Sequence, residues 1–123
     1  MIRIPRNGRE IVGGLPWLGR MIDKARMINA GSIGDYEFPC GMDMELLNHL
    51  KISPEDFVDL VKNGEKNEMA HPEEIDAAIL ERISLRTSPP DESAGGRRDS
   101  FFASVFLVRN SRLLNQLESE ESR

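Results

Sequence analysis

The chain has 123 residues, enough for one domain with a modest core and too few for two. Its 39% hydrophobic content contains no apolar run near the roughly 20 residues that span a bilayer, and its first residues lack the apolar stretch of a secretory signal, so a membrane role is excluded. The net charge of −5 is uneven: residues 1–40 carry six Lys and Arg against four Asp and Glu, residues 41–92 five against thirteen, and residues 93–123 five against four; the acidic middle repels phosphate backbones and sets nucleic acid aside as a partner.

Residues 1–13 read as loosely ordered, since Pro5, Asn7, Gly8 and Gly13 break any periodicity. A first helix is expected from near Leu15, with Pro16 in the first turn, where its missing N–H is not needed. At 100° per residue, Trp17, Leu18, Met21, Ile22, Ala25 and Ile28 share one face, and Gly31 suits the left-handed position just past the end. Gly19 inside this helix costs about 1 kcal/mol relative to Ala, and the sequence leaves open whether close packing demands it. Opposite the apolar face, Asp23 is flanked by Arg20 and Arg26. That arrangement reads as solvated charge, worth about 0.2–0.5 kcal/mol per pair.

Residues 31–42 form a loop with three glycines and a proline. Asp43 then resembles the N-cap of a short second helix that turns Leu46, Leu47 and Leu50 inward. Ser53, Pro54 and Asp56 give the clearest capping signal in the chain, opening a third helix with Phe57, Val58, Leu60 and Val61 as its stripe and Asn63-Gly64 as its end. A fourth opens at His71-Pro72, its acidic first turn suited to the helix dipole, and buries Ile75, Ala78, Ile79 and Ile83. Residues 87–100 hold proline, serine, glycine and charge without an apolar anchor, and read as a flexible linker. A fifth helix is expected over 101–117, with Phe102, Phe106, Leu113 and Leu117 on one stripe and Phe101, Val105 and Val108 on another. A helix apolar on two sides is buried between neighbours or shared with a partner chain, so residues 101–117 are the candidate surface for a homo-oligomer. A short buried strand at 101–108 fits the same run by period. Residues 118–123 should fray. The expected fold is all-α: a single domain over 1–123, built as a small bundle of about five short helices joined by loops.

From Gly13 to Ile52 the chain runs GGLPWLGRMIDKARMINAGSIGDYEFPCGMDMELLNHLKI. This resembles the small bacterial family DUF5069, whose pattern is close to GG-x-x-WL-x-RM-x-DKAR, then G-x-x-G-x-Y, then CPLD before a short leucine-containing helix. Cys40-Gly41-Met42-Asp43 departs from it, lacking Pro and Leu between the Cys and the Asp. The resemblance implies a cytoplasmic helical domain in bacteria, and the family carries no assigned activity.

Within that stretch, Lys24 sits at the edge of the apolar stripe, where its stem can lie on the core while its ammonium reaches a crevice. The GDY loop returns past the helix end and brings Asp35 and Tyr36 toward it. The candidate ligand site is therefore Arg20, Lys24, Asp35, Tyr36 and Cys40, with the two cations binding a small anionic metabolite and Asp35 and Tyr36 orienting its hydroxyls. GSIG is a turn rather than a phosphate loop, because it lacks the lysine-bearing P-loop pattern and follows a helix. Cys40, Asp43 and His49 supply a competing reading as a small enzyme, with a thiolate nucleophile, a base and an orienting carboxylate; free cysteines are more commonly small buried hydrophobes. No metal or cofactor is expected: His49 and His71 fall in no zinc spacing, and Glu55, Asp56 and Asp59 make no calcium loop. One cysteine allows no intrachain disulfide, so a reducing cytoplasm is the expected compartment. The leading expectation is a non-catalytic domain binding a small anion or a protein partner near the end of the first helix and the GDY loop. A pure interaction module working through the last helix is the third.

Overall fold

The computed structural model of the chain describes residues 4–65, 72–87 and 92–121. Six helices run through them: α1 Leu18–Asn29, α2 Gly41–Leu50, α3 Pro54–Glu65, α4 Pro72–Thr87, α5 Glu92–Arg109 and α6 Ser111–Glu121. No strand occurs among the described residues, and the single bridge Val12–Leu15 closes a turn. The fold is all-α, with 101–108 helical. None of these helices is long and apolar enough to cross a membrane.

The segment before α1 is held more firmly than its composition suggests. Val12 and Leu15 exchange backbone hydrogen bonds of 3.0 and 3.1 Å across Gly13 and Gly14, whose φ values of 60° and 81° are those of a tight turn that glycine enters without penalty. Pro5 and Gly8 are buried, and the Trp17 N–H donates to the Gly8 carbonyl at 2.7 Å. Trp17 itself, with φ 70°, precedes α1, so the helix begins at Leu18 rather than near Leu15. The other end matches expectation. Gly31 (φ 70°) donates to Ile28 and Ser32 to Met27, the paired bonds of a Schellman motif.

Leu18, Met21, Ile22 and Ala25 of α1 are fully buried with Leu46 and Leu47 of α2, Phe57 and Val61 of α3 and Ile79 of α4, while Phe106 and Leu114 bring in the last two helices. The Asp56 N–H donates to Ser53 Oγ at 3.2 Å, so the expected cap of α3 forms. Gly64, expected to end that helix, lies inside it. A Cβ there would come 2.7 Å from Ile79 Cγ1, so its bare backbone lets α3 approach α4. Gly19 is likewise a packing glycine: a Cβ would stand 2.9 Å from Val12 Cγ2 and 3.3 Å from the Arg6 guanidinium.

The expected single helix over 101–117 is two. α5 starts at Glu92, inside the segment expected as a linker, and gives way to α6 at Asn110. Asn110 is buried, and the Phe106 carbonyl accepts both its backbone N–H and its side-chain amide at 3.0 Å. The break rotates the stripes: Leu114 is buried in place of Leu113, and Phe101 and Val108 face outward. His71 and residues 88–91 and 122–123 lie outside the described residues.

Candidate functional site

The charged side of α1 is where the structure departs furthest from helical-wheel reasoning. Arg20 and Asp23, expected to be solvated together with Arg26, are instead 2% and 5% exposed, Lys24 beside them is 3% exposed, and Arg26 alone stays half-buried. A buried charge is tolerated only when paired and hydrogen-bonded, and each of the three buried ones has its own partner from a distant part of the chain.

Asp23 is met by Arg6, which donates from its backbone N–H at 2.9 Å, from Nε at 3.0 Å and from Nη2 at 3.1 Å. The same guanidinium reaches Asp76 of α4 at 2.6 and 3.0 Å. Burial works against the Arg6 charge, but its hydrogen bonds to Asp76 and Asp23 outweigh this and raise its pKa. One arginine thus ties the N-terminal segment, α1 and α4 together.

Lys24 enters a second cluster, centred on Asp43 at the first turn of α2. Asp43 is wholly buried and accepts from Trp17 Nε1 at 2.6 Å, Lys24 Nζ at 3.0 Å and the Cys40 N–H at 3.0 Å. It is the third residue of the helix, reaching back to the residue before it, rather than the N-cap expected from sequence; Cys40 holds that place. Lys24 also donates to the Glu37 carbonyl at 3.0 Å and lies 3.6 Å from Cys40 Sγ, with Nζ 5.5 Å from the centre of the Trp17 ring. All three ammonium donors are therefore engaged. Burial pushes the Cys40 thiol up from its ordinary value, Asp43 adds to the rise and Lys24 offsets part of it, so near neutrality Cys40 is a thiol rather than a thiolate.

Arg20 forms the third cluster. Its Nη1 and Nη2 donate to the two carboxylate oxygens of Glu121 at 2.7 and 2.6 Å, and Nη1 also reaches the Arg6 carbonyl at 3.3 Å. Its guanidinium carbon lies 5.2 Å from the Trp17 ring centre and 5.7 Å from that of Tyr36, while Nε finds no acceptor. The Tyr36 hydroxyl pKa is raised by burial and by the neighbouring Glu121 charge, against the pull of Arg20.

The five expected ligand residues thus divide. Lys24 and Cys40 share the Asp43 cluster, Arg20 and Tyr36 the Glu121 cluster, and Asp35 is exposed in the loop between α1 and α2. The enzyme reading needed His49 beside Cys40. Instead His49 Nε2 lies 2.7 Å from Asp99 Oδ1, and its ring stacks on Phe102 at 4.3 Å. Trp17, Asp43, Arg6 and Glu121 were missed as site residues. The available signals were weak: Trp17 is the chain's only tryptophan, and Asp43 was read as a cap and, in the enzyme reading, as an orienting carboxylate.

Beside the Asp43 cluster a cleft of about 540 Å³ opens between the start of α2 and α6. Cys40, Met42, Leu113 and Leu117 supply its apolar surface, with Glu45 and Arg109 at its polar side. Arg109 Nη1 pairs with Glu45 at 3.3 Å and is two-thirds exposed. Gly41 and Met42 also line the cleft, and the leading N–H groups of a helix have no acceptor within it. A smaller hollow of about 300 Å³ lies among Ile4, Pro5, Asn7, Glu118 and Glu121.

Comparison with known families matches residues 2–105 to the model described as a domain of unknown function, DUF5069. No curated protein matches the chain.

Proposed function

The chain belongs to the DUF5069 family, and from that premise we propose that it is a non-catalytic binding domain that takes a small organic anion into the cleft between α2 and α6. One observation carries this reading: the cleft is large enough for a small molecule, mostly apolar, and furnished with a few converging polar groups. An anionic head would meet Arg109 and the leading N–H groups of α2, where the helix dipole favours negative charge. An apolar body would lie along Met42, Leu113 and Leu117. Lys24 and Asp43 act from behind as a neutralised, hydrogen-bonded frame that holds Cys40 and the helix start in place. A reducing bacterial cytoplasm suits this arrangement, since the cleft keeps a protonated thiol at its edge.

The test is a thermal-shift screen of the full chain against small carboxylates and phosphates, repeated on Arg109→Ala and Leu113→Glu. Both positions are substantially exposed, so the variants should fold. A ligand at about a hundred times its dissociation constant adds roughly 2.7 kcal/mol of apparent stability. A shift in the wild type that both variants lose supports the reading. No shift in any arm, or one that both variants retain, refutes it.

A second reading has its own observation. Phe101 and Val108 are 73% and 76% exposed on α5, a surface suited to a second copy of the chain or another protein.

A further inference from the structure

Arg20 is an unusual residue to find closed off from water. The cost of stripping a guanidinium of solvent is offset by one carboxylate in fork-to-fork geometry, the arrangement through which arginine selects planar carboxylates. The surroundings are those of a receptor: Trp17 and Tyr36 rings near the guanidinium, and a buried Nε–H that Glu121 leaves without an acceptor.

The occupant comes from elsewhere. Trp17, Arg20 and Tyr36 all lie within the residues matched by the family, 2–105, whereas Glu121 lies beyond them on α6. Glu121 also sits where a carboxylate is least welcome. It ends a helix whose last turn holds Glu118, Glu120 and Glu121 and no basic residue, so the helix dipole opposes all three. The remaining polar bonds of this turn to the N-terminal segment are exposed or half-exposed, from Asn7 at 2.7 Å and Arg9 at 3.0 Å to Glu118. The hollow of about 300 Å³ is lined by Glu121 itself, so the residue that holds Arg20 borders open space.

We propose that Arg20, Trp17 and Tyr36 form a carboxylate-binding site that Glu121 fills from within the chain, and that a small free carboxylate competes for it and releases the last turn of α6. A small monocarboxylate is the favoured class. Its carboxylate replaces that of Glu121 on Nη1 and Nη2. This site is separate from the cleft at Cys40 and stands whether or not the cleft binds anything.

Trp17, the chain's only tryptophan, lies against Arg20 and reports on the site directly. The experiment is a titration of the full chain with lactate and pyruvate, with chloride at matched ionic strength as control, followed by Trp17 fluorescence. It is run on wild type, Glu121→Gln and Glu121→Asp. The tethered competitor loses its charge and one acceptor oxygen in the first variant and is shortened in the second, so half-saturation should fall at least tenfold in Glu121→Gln and by a smaller factor in Glu121→Asp. Arg20→Lys should lose the response, while Arg109→Ala, which alters only the cleft, should keep it. Should Glu121→Gln not fold, the comparison of Glu121→Asp with wild type decides. Equal half-saturation in those two, no fluorescence change in either, or a response that survives Arg20→Lys overturns the proposal.

Discussion

Replacing Asp43 by Asn is the sharpest test of the reasoning about the buried face of α1. The side chain accepts from three donors, Trp17 Nε1, Lys24 Nζ and the Cys40 N–H, at 2.6 to 3.0 Å, and nothing of it is exposed. Asparagine keeps the shape but offers one oxygen, and its NH₂ group has only donors to face. It also removes the charge opposite Lys24, which is itself 3% exposed. Breaking a buried pair from one side costs about 3–5 kcal/mol, a large part of the roughly 5–15 kcal/mol that holds a domain folded. For a chain of this size the melting temperature should fall by roughly 10–20 °C. Urea unfolding should be followed by far-ultraviolet circular dichroism, because Trp17 is a partner in the cluster. The double variant Asp43→Asn, Lys24→Met removes the stranded cation and should recover at least about 1 kcal/mol of the loss, as expected for residues in contact. A single variant within about 1 kcal/mol of wild type, or a double variant showing simple additivity, would refute the account of this cluster.

Gly19→Ala should destabilise the fold by about 1–2 kcal/mol in chemical denaturation even though alanine is the better helix former, because the new methyl strikes Val12 and crowds the Arg6 guanidinium; a gain in stability would show that the N-terminal segment gives way. Alkylation of Cys40 should have its pH midpoint above the ordinary 9.0, and fast reaction near pH 7 would restore the nucleophile reading. Cys40 and Tyr36 hold their protons more tightly folded than unfolded, so their contribution to stability is full below the unfolded values, 9.0 and 10.0, and is lost as pH rises through the raised folded ones; the urea midpoint should therefore decline above about pH 9, and a flat profile to pH 11 would contradict this. If α5 mediates self-association, Val108→Glu should lower the sedimentation mass at fixed concentration without changing the melting temperature; an identical mass in both proteins removes that surface from consideration.

The helices were legible because their signals are local. Gly31 closes α1 and Ser53 caps α3 through contacts within five residues, and the leucine spacing of α2 marks its buried side. What escaped was set by residues far apart in the chain. A helical wheel assumes one buried face, but α1 is enclosed on the other side by the N-terminal segment, the loop before α2 and the end of α6. Partners such as Arg6 for Asp23, 17 positions away, and Glu121 for Arg20, 101 positions away, leave no local trace. Asp43 escaped for a subtler reason: an acidic residue at a helix start has an adequate explanation as a cap, which hid its role as the acceptor for Trp17 and Lys24. Asn110 was similar, since one polar residue in an apolar run gave no sign that the run would divide there into two helices.

The bridge that Arg6 makes between Asp23 and Asp76 constrains how this protein can change over generations. Three well-packed apolar side chains in those places could be as stable as the ions. Any route that alters one residue at a time, however, passes through a stage with a stranded buried charge, several kcal/mol down in a fold with little to spare. The ions therefore endure less by the strength they lend than by the depth of the valley around them. Those three positions should drift together or not at all.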